Sequence, residues 1–95
     1  MQDITLLVLS SLADGAKHGY AMQQDIEGFA GVRLGPGTLY GAIGRLEVEG
    51  MIRPLRSSDG RRPYEITANG RAELDRKVKA LRSIVRSAER RLRPA

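Results

Sequence analysis

The sequence predicts a mainly α domain with a small β-hairpin, followed by one long C-terminal helix. Apolar residues recur at helical spacing in three segments before Gly50. An Asp59-Gly60 pair then stands between two short apolar runs, the arrangement of a hairpin turn. Beyond Thr67, residues Leu74, Val78, Leu81, Val85, Ala88 and Leu92 are spaced 4, 3, 4, 3, 4, the period of a coiled-coil seam.

The first helix is expected over Ile4 to Ala13. Ile4, Leu7, Val8 and Leu12 make one apolar face and Leu6, Leu9 and Ala13 a neighbouring one, with little polar surface beyond Thr5 and Ser10. Such a helix needs cover on two sides, so Leu6 and Leu9 are expected to meet a second subunit. Asp14-Gly15 stops the helix and Lys17-His18-Gly19 connects it to the next. A second helix follows from about Tyr20 to Phe29, with Met22, Ile26 and Phe29 toward the core and Gln23, Gln24 and Glu27 outward. Gly28 and Gly31 mark its end. After a turn at Arg33 to Gly37, Pro36 and Thr38 open a third helix whose Leu39, Ile43 and Leu46 repeat the core stripe up to Gly50.

Met51 to Leu55, short, apolar and containing Pro54, reads as an edge strand. The turn from Arg56 to Arg62 returns the chain through Tyr64, Glu65 and Ile66, a strand by alternation. Thr67 is a candidate N-cap for a helix reaching about Leu92. So small a domain cannot bury the seam of that helix alone. A homodimer is therefore expected, with Leu74, Val78, Leu81, Val85, Ala88 and Leu92 joining Leu6 and Leu9 at the interface.

Composition narrows the function. The 95 residues, 41% of them hydrophobic, fit one small globular unit. With no Cys and one His, no disulfide framework or Cys/His zinc cluster can form, and neither metal nor cofactor is expected. The longest apolar run, Ile4 to Leu9, is far short of the ~20 residues of a spanning helix. Asp3 stands where a signal peptide would carry Lys or Arg, so a cytoplasmic location is expected, without a membrane. A net charge of +5 favours a polyanionic partner, nucleic acid first. The charge is uneven: residues 1–50 hold three basic and six acidic side chains, and residues 67–95 nine and three.

Enzymatic patterns fail on spacing. Gly35-Pro36-Gly37 begins a dinucleotide fingerprint, but position 40 is Tyr and no strand precedes it. No phosphate-binding loop exists, Ser10 and Ser11 have no histidine base, and the carboxylates show no catalytic pairing.

Three helices, a two-stranded hairpin and a long helix follow the order of a winged helix-turn-helix with a dimerisation helix, here residues 1–66 and 67–95. The residues resemble those of the PadR family of transcriptional regulators. The resemblance rests on His18-Gly19-Tyr20, Pro36-Gly37-Thr38-Leu39-Tyr40, Arg45-Leu46-Glu47 with Gly50, and Tyr64 through Thr67 with Gly70, in that order and spacing. It covers roughly Thr5 to Leu81, and Gly41 stands where the family often has Pro. The resemblance implies a homodimeric repressor of double-stranded DNA that a small-molecule effector releases from its operator.

On a helical wheel, Thr38, Gly41, Gly44, Arg45 and Val48 lie opposite the core stripe of the third helix, with Tyr40 at the flank. That face would enter the major groove, led by Pro36, Gly37 and Thr38. Thr38 could bond a phosphate or touch a thymine methyl, Tyr40 could reach a phosphate, and Arg45 could read guanine or hold the DNA backbone. Gly41 and Gly44 would allow close backbone approach to DNA or close helix packing. Arg56, Arg61 and Arg62 on the wing suit phosphate or minor-groove contact, with Lys17 and Arg33 as weaker candidates. His18 is read as a turn residue, Tyr20, Phe29 and Tyr64 as packing residues, and the arginines of the last helix as a solvated face. The competing reading is a winged-helix protein-interaction module, supported by the acidic first half.

Overall fold

The computed structural model describes residues 3–57 and 59–94; Ser58, within the expected hairpin turn, lies outside them. The elements run α1 (Ile4–Leu12), α2 (Gly19–Ala30), α3 (Pro36–Val48), β1 (Ile52–Pro54), β2 (Tyr64–Ile66) and α4 (Ala68–Leu92). Asp3 caps α1, its Oδ1 accepting from the Leu6 amide at 3.0 Å. Thr67 caps α4 by accepting from the Gly70 amide, and its hydroxyl donates to the Gly50 carbonyl at 2.6 Å. One side chain thus starts α4 and ties it to the turn that follows α3.

The core is built from one face of each element. Val8, Leu9 and Leu12 of α1, Met22 and Ile26 of α2, and Leu39, Ala42, Ile43 and Leu46 of α3 close over Ile52 and Ile66 of the strands. Leu34 plugs the turn between α2 and α3. Gly31 there has φ +66°, the left-handed conformation that ends a helix cleanly only where no Cβ is present. β1 and β2 pair antiparallel with Ile52 opposite Ile66 and Arg53 opposite Glu65, whose side chains form an ion pair.

Several details depart from the sequence expectation. Leu9 is fully buried within its own protomer and presents nothing to a second subunit. Leu74 packs against the same core, so the seam available to a partner begins at Val78. Phe29 is 51% exposed rather than core, while its neighbour Ala30 packs against the core, so the inward stripe of α2 runs Met22, Ile26 and Ala30. Gln23 does not face out: its amide donates to the Leu34 carbonyl at 2.9 Å and ties the turn to α2. The connector before α2 also joins the wing, since Lys17 and Tyr64 exchange backbone hydrogen bonds of 3.1 and 2.9 Å.

Two close approaches fix how the parts meet. A Cβ on Gly70 would collide with the Met51 carbonyl oxygen and lie 2.7 Å from Ile66 Cγ1, so only glycine lets α4 seat on the hairpin. Lys77 on α4 reaches back to Asp3 at 2.7 Å. Beyond it α4 leaves the body, and Val78, Leu81, Ile84, Val85 and Leu92 are all exposed in the protomer.

Candidate nucleic-acid interface

The exposed face of α3 follows from its sequence. Leu39, Ala42, Ile43 and Leu46 turn into the core, which leaves Thr38, Gly41, Gly44, Arg45 and Val48 outward. Pro36 is the first helical residue, its fixed φ suited to that position and its missing amide no loss there. No atom outside the local helix lies within 4 Å of a Cβ built on Gly37, Gly41 or Gly44. Close packing within the protomer therefore does not explain these glycines.

Tyr40 stands at the edge of this face, 54% exposed. Its ring lies against the backbone of Gly19 at the start of α2. A groove of about 480 Å³ opens here between three elements. It is lined by His18, Gly19 and Tyr20 at the start of α2, Tyr40 of α3, and Gly60, Arg61, Arg62 and Tyr64 of the wing. Three of the four aromatic side chains of the protein thus converge on one place. A second hollow of about 420 Å³ on the wing gathers Arg56 with Arg61 and Arg62. Among the described residues none of these three guanidiniums forms an ion pair. The wing turn is held from within: Asp59 takes the Ser57 hydroxyl and the Arg61 amide, and these two bonds, the hydroxyl first, keep its carboxyl below the ordinary range.

Other expected cations are engaged elsewhere. The Arg45 guanidinium donates to Thr5 Oγ1 at 2.9 Å and Glu49 Oε1 at 3.2 Å, so in the free protein it braces α3 against α1 instead of facing a groove. Lys17 bonds the Ser11 carbonyl and, at 2.6 Å, Asp14, close to the pair in which buried Ser11 donates to half-exposed Asp25 at 2.7 Å. The Lys17 contact holds the Asp14 carboxyl below its ordinary value. His18 is the N-cap of α2, its Nδ1 facing the Ala21 amide at 3.4 Å, in keeping with a turn role. Tyr20 points outward, its hydroxyl accepting from Gln24 at 3.0 Å. Sequence reasoning missed the Gly19–Tyr40 contact, the Lys17–Tyr64 bridge and the exposure of Ile84. The first two join residues about twenty or more positions apart, which no local spacing reveals; Ile84 lies beside the 4-3 seam that was counted.

Among the described residues no helix is long and apolar enough to cross a membrane, and no cluster of three metal-binding side chains occurs. Comparison with known proteins adds four findings. The chain is 47% identical over 79 residues to an uncharacterized 37.1 kDa protein of transposon TN4556 from Streptomyces fradiae, a match to 83% of this chain but only 23% of that protein. It is 37% identical over 86 residues to the transcriptional regulator Rv3488 of Mycobacterium tuberculosis, covering 87% of this chain and 79% of that one. The crystal structure of a PadR family transcription regulator from Clostridium difficile R20291 superposes with a TM-score of 0.83 at 27% identity, over 95% of this chain and 98% of that one. The sequence profile of the transcriptional regulator PadR-like family matches residues 8–76, and the chain belongs to that family.

Proposed function

We propose that this protein is a cytoplasmic, homodimeric repressor that binds an inverted-repeat operator, with residues 1–66 on DNA and residues 67–95 joining the subunits. One observation carries the reading: Tyr40 of α3 and Arg61 and Arg62 of the wing share one groove, so the helix and the wing offer a single cationic surface. The amino-terminal half of α3 enters the major groove, with Thr38 and Tyr40 leading and Gly37 and Gly41 allowing the backbone close. Arg56, Arg61 and Arg62 follow the phosphates, where charge and reach suffice. Arg45, braced on Thr5 in the free protein, supports α3 from the same exposed face.

The exposed row Val78, Leu81, Val85, Ala88 and Leu92, with Ile84 beside it, supplies the dimer seam, and half-buried Leu6 of α1 is assigned to the same interface. Two-fold symmetry then sets half-sites about 34–36 Å, one helical turn, apart. A small-molecule effector that releases the operator is part of the same reading, by family membership.

The test is fluorescence anisotropy with labelled duplex from the upstream region of the protein's own gene and with scrambled duplex, each at low and near-physiological salt. Tight binding to the first alone that persists with salt is the expected result. Arg61→Ala should then weaken both duplexes alike and lower the salt slope by about one. No binding to either duplex would refute the reading and favour the protein-interaction module.

A further inference from the structure

Gly19 begins α2, and its backbone is not in the left-handed region, so chain geometry alone does not require glycine there. What requires it is Tyr40. A Cβ on Gly19 would overlap the Tyr40 hydroxyl and lie 2.6 Å from Cζ and 2.7 Å from Cε1. These atoms form the far end of one half-exposed side chain, which can swing into solvent without disturbing the core. Gly70 is the contrast, because the atom in its way is a backbone carbonyl. Adding a methyl at Gly19 therefore leaves the fold intact and costs only the place of the phenol. That place lines the same groove as Arg61 and Arg62.

We infer that Gly19 is a positioning residue for DNA binding: the missing Cβ lets the Tyr40 ring lie on the start of α2, which aims the phenol at the phosphate held by the wing arginines. The inference rests on the operator-binding reading above. The two elements that make this contact, His18-Gly19-Tyr20 and Thr38-Leu39-Tyr40, are thereby parts of one device.

The experiment compares Gly19→Ala, Tyr40→Ala and the double variant with the wild type, reading operator affinity, salt slope, thermal midpoint and, in the free protein, the nuclear Overhauser contact between Gly19 Hα and the Tyr40 ring. Gly19→Ala should fold, lose that contact and bind operator about 10- to 100-fold more weakly, the range for one hydrogen bond to a charged group. Tyr40→Ala should lose a similar factor, and the double variant no more than Tyr40→Ala alone. The salt slope should not change, since no charge is removed. Equal further loss from Gly19→Ala in the Tyr40→Ala background would overturn the inference, as would wild-type affinity in either single variant. An absent Gly19–Tyr40 contact in the wild type would overturn it whatever the DNA result. A wild type that binds no duplex would instead bring down the operator reading itself, and the inference with it.

Discussion

Replacing Gly41 and Gly44 by Ala should make the protein more stable and a worse DNA binder. Both residues lie inside α3, exposed, and a Cβ on either has open space around it. Glycine in a helix interior is about 0.8–1.0 kcal/mol less favourable than alanine. With no clash to subtract, each substitution should gain most of that, and the pair nearly 2 kcal/mol. For a domain of this size each kcal/mol raises the midpoint of thermal unfolding by about 4–8 °C. Circular dichroism melts of the two single variants and the double variant would measure it. Anisotropy on operator DNA should move the other way. If α3 needs its bare backbone to approach DNA, the added methyls should cost about 1–3 kcal/mol of binding, the size of one lost base contact. Destabilisation of both variants would refute the open-space reasoning and mean that a partner covers this face. Higher stability with unchanged affinity would show that the glycines do not serve DNA approach.

Gly70→Ala should lower the urea midpoint by the equivalent of about 1–3 kcal/mol, because its Cβ meets the Met51 carbonyl oxygen and Ile66 and neither can move without opening the seat of α4; an unchanged midpoint would show that the contact yields freely. Asp3→Asn keeps an acceptor for the Leu6 amide but removes the charge paired with Lys77. The Lys77 hydrogen bond, as the largest influence, holds the Asp3 carboxyl below its ordinary value of 3.8. The ion pair therefore stabilises above that value and is lost as pH falls through the depressed one. For this partly exposed pair, the stability gap between wild type and Asp3→Asn should be about 0.2–1 kcal/mol near neutral pH and close as the medium becomes strongly acid; a gap that persists in acid would mean the asparagine had disturbed the cap. Leu81→Asp should dissociate the dimer in sedimentation while the protomer keeps its helical content, since Leu81 is 44% exposed in the protomer; a variant that remains dimeric would show the seam to lie elsewhere.

The elements were legible because their signals are local. Asp59-Gly60, Pro54, Pro36 and the Thr67 cap each act within a few residues, and the apolar periods of α2, α3 and α4 identify helices wherever they dock. Which side of each helix faces what was less legible. In α1 both apolar faces looked alike, and only the docking of α2 and α3 took Leu9 into the core. Phe29 shared the period of Met22 and Ile26, but the core takes Ala30, one position on, and leaves Phe29 exposed.

The candidate site divides in the same way. The sequence by itself determined which residues could meet DNA, because an exposed α3 face and an arginine-rich turn follow from pattern and composition. It could not say which cations were free. A long-range contact binds Arg45 to Thr5 and a local one binds Lys17 to Asp14, while Arg56, Arg61 and Arg62 have no ion pairs among the described residues. Only the tertiary structure likewise showed that Gly19 and Tyr40 touch, for the fit of a ring on a bare backbone depends on how two helices cross, and no spacing along the chain encodes that angle.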